Sequence, residues 1–198
     1  MTNKIFYPVL VLALTLFGLQ SCDPKTSVKK PVVKATVPIV KTFDIPLDIS
    51  TMIEMPKSSA STLRDAQEHV LYEGSLSWDM SEIVNSSGLS QAEVKSIRLD
   101  KVTMECVKPE GVDLTLFAPI YLYAGQDYKL FAETSADSSR PNLLDLILHE
   151  KDLVQYIKAD QLPMRITTTR DKISDWPYGD APLHITLTFY TTSTVRAK

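Results

Sequence analysis

The stretch Leu183-His184-Ile185-Thr186-Leu187-Thr188-Phe189-Tyr190-Thr191-Thr192 decides the fold class. Leu183, Ile185, Leu187 and Phe189 share one parity, and His184, Thr186, Thr188, Tyr190 and Thr192 share the other. Successive side chains of a β-strand point to opposite faces, so the pattern is that of a strand with one face in a core and one in water. A helix would scatter the same residues around its circumference. Threonine, isoleucine, phenylalanine and tyrosine also suit a pleated surface.

The same period recurs outward from that stretch. Leu162, Met164 and Ile166 alternate with Pro163, Arg165 and Thr167. Phe43, Ile45, Leu47 and Ile49 alternate with Asp44, Pro46 and Asp48, and Pro46 predicts an edge strand because proline gives no donor to a ladder. Val70, Tyr72, Leu76 and Trp78 stand against Glu73, Ser75 and Ser77. Residues 95–107 change parity midway: Ile97 and Leu99 fall on one face, Val102, Met104 and Cys106 on the other. One inserted residue does this, which predicts a β-bulge near Asp100 and Lys101. Residues 119–124, 128–133 and 143–149 read as further strands, the first two joined by a turn at Gly125-Gln126-Asp127.

Two short helices interrupt the strands. Asp79-Met80-Ser81-Glu82 has capping-box spacing, with Gly88 as the stop. Residues 151–159 place Leu153, Val154 and Ile157 on one helical face, with Glu150 and Asp152 as its N-terminal acids. The expectation for residues 38–198 is therefore a mainly β domain: a two-sheet antiparallel β-sandwich, immunoglobulin-like in outline, with about eight strands and two short helices. A closed barrel is the alternative.

Residues 1–21 read as an export signal. Lys4 precedes an apolar run over residues 5–17, too short for the roughly 20 residues that a membrane-spanning helix needs. Leu19-Gln20-Ser21-Cys22 follows it and resembles the lipobox of bacterial lipoproteins, in the form common among Bacteroidota. The resemblance implies cleavage before Cys22 and a diacylglyceryl group on its sulfur; two or three acyl chains hold a protein firmly to a membrane. Surface-exported lipoproteins of that group often carry an acidic cluster after the cysteine. Asp23-Pro24-Lys25 lacks one, which implies an outer-membrane protein facing the periplasm, with surface exposure left open. Residues 22–37, with Lys25, Lys29, Lys30 and Lys34, read as a flexible tether. Such a run serves as a solvated spacer, or meets anionic headgroups at about 1 kcal/mol per cation. The domain itself loosely resembles small β-sandwich lipoproteins, a likeness that implies no activity.

The net charge is −3, with 21 basic and 24 acidic residues; removing residues 1–21 takes away Lys4 and no acid, leaving −4. Nucleic-acid binding rests on neutralising phosphates, so it is excluded. With Cys22 lipidated, Cys106 has no partner within the chain and reads as a buried, inert thiol. His69, His149 and His184 form no metal-ligand spacing, and no nucleophile elbow, phosphate loop or dinucleotide fingerprint is present. The expectation is a protein that is not an enzyme and has neither cofactor nor metal.

The candidate binding residues are Trp176, Tyr178, Asp175 and Asp180, in a loop whose aromatics suit stacking on a sugar or anchoring a partner. The favoured reading of the same loop has Trp176 folded back as a plug over one end of the core. The leading reading is a membrane-anchored, non-catalytic binding or scaffolding module for another envelope component. The alternatives are a glycan-binding module using this loop together with Tyr121 and Tyr123, a hydrolase with dispersed carboxylates, and a fimbrial subunit using its edge strands. The lipobox makes a direct prediction. Mass spectrometry of the protein from cells will show a chain that starts at Cys22 and carries lipid. Cys22→Ser will leave the chain uncut and without lipid, and an unmodified Cys22 in the native protein would overturn the assignment.

Overall fold

The computed structural model describes residues 32–53, 68–134, 140–170, 173, 176–179 and 181–198. Cys22, Asp175 and Asp180 lie outside the described residues. The domain is mainly β. Its elements are β1 (Lys34–Leu47), β2 (His69–Ser77), α1 (Met80–Ser86), β3 (Ala92–Lys108), a 3-10 turn (Leu114–Phe117), β4 (Ile120–Ala124), β5 (Lys129–Thr134), β6 (Leu143–Leu148), β7 (Gln161–Thr168) and β8 (Leu183–Ala197). The pairings between these strands are antiparallel, and the eight strands form one curled sheet in the order β1-β8-β3-β6-β5-β4-β7-β2.

The curl is made at β6. Its first half pairs with β3, Met104 opposite Leu144, and its second half with β5, Ala132 opposite Leu148. Asp48, just past β1, donates its N–H to Leu71 O of β2 at 2.7 Å, so the two edge strands meet at one hydrogen bond. The inward faces bury Ile45, Leu47, Leu122, Phe131, Met164, Leu187 and Phe189 among others. These are the residues whose alternation marks the strands.

The bulge lies where the parity change places it: the β3–β8 register shifts between Leu99 and Lys101. The extra residue, Asp100, binds Arg98 at 2.9 Å and accepts a hydrogen bond from Thr192. β1 is an edge strand, as Pro46 implies, but it starts earlier than the alternation suggests. Lys34 to Val37, read above as the end of the tether, are its first four residues, paired with Arg196 to Ser193.

The helix at α1 forms as its cap dictates. Asp79 Oδ1 accepts from Ser81 N at 2.8 Å and Glu82 N at 3.3 Å, and Gly88 ends it at φ +70. The second expected helix, over residues 151–159, does not form; the segment is a strap of turns. Its acids cap no helix. Asp152 Oδ1 accepts from Ile97 N at 2.9 Å and from Val154 N at 3.1 Å, while Lys151 O accepts from Leu99 N at 2.7 Å. The strap thus hydrogen-bonds to β3 beside its bulge. Leu153 and Ile157 are buried, which explains the apolar spacing without a helix.

The strap ends in a two-residue hairpin turn. Lys158 and Gln161 exchange both backbone hydrogen bonds, at 2.9 and 3.0 Å, around Ala159 (φ 48) and Asp160 (φ 58). Positive φ at both central residues is the requirement of a type I′ turn, which favours Asn or Gly. Asp160 also holds the start of α1, through its carbonyl to Trp78 N and its side chain to Met80 N. Ala159→Gly will therefore raise stability by roughly 0.5–1 kcal/mol, since the left-handed penalty of alanine is removed. Asp160→Ala will lower it by about 1 kcal/mol through loss of the side-chain bond to Met80. Urea denaturation of the two variants checks both signs.

Candidate functional site

Trp176 and Tyr178 do not stand out into solvent as a pair. Trp176 packs edge-on against Phe117 at 5.7 Å between ring centroids and against Tyr178 at 5.0 Å, and both residues lie half-buried on the core. The indole N–H of Trp176 is buried with no acceptor among the described residues. The plug arrangement accounts for this placement: Phe117 belongs to the 3-10 turn, and Trp176 lies over it. Asp175 and Asp180 lie outside the described residues.

Tyr121 and Tyr123 are placed differently. β4 opposes β7 with Tyr121 facing Thr167 and Tyr123 facing Arg165. Directly opposed residues share a face, and this is the outward face: Tyr121, Tyr123 and Arg165 are half-buried, with Thr167 covered among them, while Leu122 and Ile166 of the other parity are core residues. Extending across the neighbouring strands gives two rows. One runs Glu73, Arg165, Tyr123, Leu130; the next runs Val70, Thr167, Tyr121, Glu133.

At the end of the first row is a built constellation. Arg165 donates from Nε at 3.0 Å and Nη2 at 2.8 Å to Glu73 Oε2. Tyr128 OH donates to Glu73 Oε1 at 2.9 Å. The guanidinium lies 4.2 Å from the centre of the Tyr128 ring, a cation–π arrangement. Glu73 and Arg165 keep about half and a third of their side-chain surface exposed, at 47% and 31%. The group is therefore ordered yet reachable. Tyr128 has φ 46, in the left-handed region, which costs a residue of its kind roughly 1–3 kcal/mol. Its hydroxyl bond and the stacked guanidinium offset part of that cost.

The electrostatics follow from the contacts. The Tyr128 hydroxyl, and then Arg165, hold the Glu73 carboxyl below the usual carboxylate range. The same bond to Glu73 pushes the Tyr128 phenol up. Burial, with Glu68 close by, pushes Tyr123 up. At the far side, His149 Nε2 lies 3.2 Å from Glu133 Oε1, and Glu150 pairs with Lys129. Glu150 and Lys129 form an ion pair, and neither contact caps a helix. Cys106 is buried, its thiol pushed up by that burial, and donates to Pro109 O at 3.5 Å.

No group of three or more His, Cys, Asp or Glu side chains able to hold a metal occurs among the described residues. An open groove of about 360 Å³ lies between α1 and β3, lined by Met80, Val84, Ala92 and Val94, with Glu93 as its one carboxylate. A carboxylate pair for glycosidic hydrolysis needs two. No family model matches the chain, and neither a curated protein nor a solved structure matches it.

Sequence reasoning reaches Tyr121 and Tyr123 but not Glu73, Arg165 and Tyr128, which lie on three separate elements. The only local signal is a tyrosine directly after the Gly125-Gln126-Asp127 turn. The network gives a titration test. A lowered carboxyl pKa stabilises the fold above the ordinary Glu range and loses that contribution as pH falls through the lowered value; a raised phenol loses its contribution as pH rises through the raised value. Between those limits the network is intact. In Tyr128→Phe, the NMR-detected midpoint of Glu73 will move upward toward an ordinary glutamate; an unchanged midpoint would show that Tyr128 does not hold the carboxylate.

Proposed function

We propose that the protein is a lipid-anchored, non-catalytic binding module of the bacterial cell envelope, and that it engages another envelope component through the outward face of β2, β7, β4 and β5. The observation that carries this is the Glu73–Arg165–Tyr128 constellation. A left-handed tyrosine is kept on the surface to hold an arginine and a glutamate in one geometry, and strain retained at a surface position is a mark of function. Tyrosine and arginine are also the residues that dominate binding energy at interfaces. The lipobox at Cys22 supports the anchor, and the periplasm-facing outer membrane remains the location we favour.

The curled sheet is best understood, on this reading, as two facing layers folded at β6: β1-β8-β3 against β5-β4-β7-β2, a β-sandwich of immunoglobulin-like outline. Ring contacts between Phe189 of β8 and Phe131 of β5, 6.2 Å between centroids, support it. So does the way β6 divides its pairing between the two sides.

A glycan is the second reading for the ligand, favoured by Tyr121 and Tyr123, which stand on the same outward face one row apart and suit stacking on sugar rings. The Trp176 and Tyr178 loop serves it less well, because Trp176 packs on Phe117. A photocrosslinker placed at Tyr121 in cells tests the proposal. One defined adduct, lost in Arg165→Ala and retained in a control variant at exposed Val40, is the expected result. Adducts indifferent to Arg165 would reject this face, a glycan-only adduct would select the second reading, and turnover of an envelope substrate would end the non-catalytic reading.

A further inference from the structure

The first residues of β1 and the last of β8 are partners: Lys34 lies opposite Arg196, and Arg196 lies opposite Glu93 on β3. Lys198 N donates to Gln91 O at 3.0 Å, and Ala197 N to Val33 O at 3.0 Å, so the two chain segments leave the sheet at the same end. Lys95 pairs with Glu93. That end therefore gathers Lys34, Lys95, Arg196 and Lys198 around one carboxylate. Those cations, Lys95 first and then Lys198 and Arg196, hold Glu93 below its ordinary range. Removing these five residues leaves 17 basic and 23 acidic ones, a charge of −6 on the rest of the chain. The positive end is thus a local feature of an acidic protein. Beside it, Val32 and Val33 are half exposed, at 48% and 54%.

We infer that this end of the domain, with Lys34, Arg196 and Lys198 foremost and Val32 and Val33 between them and the tether, docks on an anionic lipid surface. Three arguments join. The charge is complementary to phosphate headgroups and opposite in sign to the rest of the protein. Amphipathic pairing of valines with cations suits the headgroup boundary, where apolar side chains enter and charges stay at the phosphates. The chain also leaves the domain here: Cys22 lies twelve residues before Lys34, so an anchor there keeps this end within about 40 Å of the bilayer. A tethered partner meets its surface at high effective concentration, so weak cations suffice. Docking would hold the domain by its basic end and leave the Arg165 face to be reached from the side. The location rests on the lipid-anchor reading; the attraction to anionic lipid does not.

The test uses residues 22–198, the mature chain that the lipobox implies, with Cys22→Ser, so that neither acyl group nor export signal contributes, in co-sedimentation with phosphatidylcholine vesicles and with vesicles of equal parts phosphatidylcholine and phosphatidylglycerol. The expected result is preference for the anionic vesicles, lost in molar salt. Lys34→Gln, Arg196→Gln and Lys198→Gln combined will weaken it about a hundredfold, at about fivefold per cation. Lys34→Arg, Arg196→Lys and Lys198→Arg combined will retain it, which separates charge from folding. Equal partition to both vesicles overturns the inference. So does a preference unchanged by the glutamine variant, which would assign the attraction to Lys25, Lys29 and Lys30. The lipid on Cys22, read by mass in the native chain, fails or stands independently of these outcomes.

Discussion

Three aromatic rings close on Phe189. Trp78 lies 5.5 Å from it edge-on, Phe43 5.7 Å edge-on and Phe131 6.2 Å near parallel, all between ring centroids. These residues come from β8, β1, β5 and the end of β2, so one buried ring is shared by both edges and the middle of the sheet. A flat eight-stranded sheet would leave each of these rings half in water. Curling it removes that apolar area on both sides at once, at about 25 cal/mol per Å². Edge-on packing adds the favourable quadrupole contact of aromatic pairs. The bulge at Asp100 and the handover along β6 are the local distortions that permit the curl, and beside the bulge Leu99 N donates to Lys151 O.

A sheet that curls without a closing ladder keeps two edges, and exposed edges invite pairing with other chains. Both edges are blunted by particular residues. β1 carries Pro38 and Pro46, of the same parity. Thr191 Oγ1 reaches Ile39 O at 3.0 Å, which puts the odd-numbered carbonyls toward β8 and the even-numbered backbone groups outward. Both prolines therefore withhold donors from the free side and cost the internal ladder nothing. β2 carries Gly74, and a Cβ there would collide with Tyr72 Oη. The Tyr72 ring covers the bare backbone, a known remedy for a glycine on an edge. Edges protected in this way argue against a fimbrial subunit that depends on accepting a donor strand.

How far the sequence foretells this structure varies with the origin of each feature. Strands are legible because alternation is a direct record of two faces, and the bulge is legible because an inserted residue inverts that record. The cap of α1 is legible for the same reason: its atoms lie within four residues. The strap over residues 150–160 misleads because Leu153 and Ile157 are four apart. That is helical spacing, yet here turns bury both, Leu153 with its N–H on Ile97 O of β3. Its true signal is the pair Ala159 and Asp160 in a hairpin turn, and alanine does not announce positive φ. The early start of β1 is hidden because lysines and prolines in an exposed edge resemble those of a tether. Glu73, Tyr128 and Arg165 are separated by 55 and by 37 positions, so only the sheet register brings them together.

The same register sets Glu73 opposite Arg165, and the proposed function makes of the constellation more than a surface ion pair. An isolated exposed pair contributes roughly 0–1 kcal/mol, less than the strain at Tyr128. If stability alone governed that turn, glycine or asparagine at position 128 would serve the backbone better. On the proposed reading the tyrosine is kept for an arginine fixed in orientation, with both carboxylate oxygens of Glu73 already engaged. Fixing such a group before contact spares a partner the ordering entropy that a free arginine would charge to the complex. On that reading the strain at Tyr128 is affinity held ready in the unbound protein, on the outward face and away from the core.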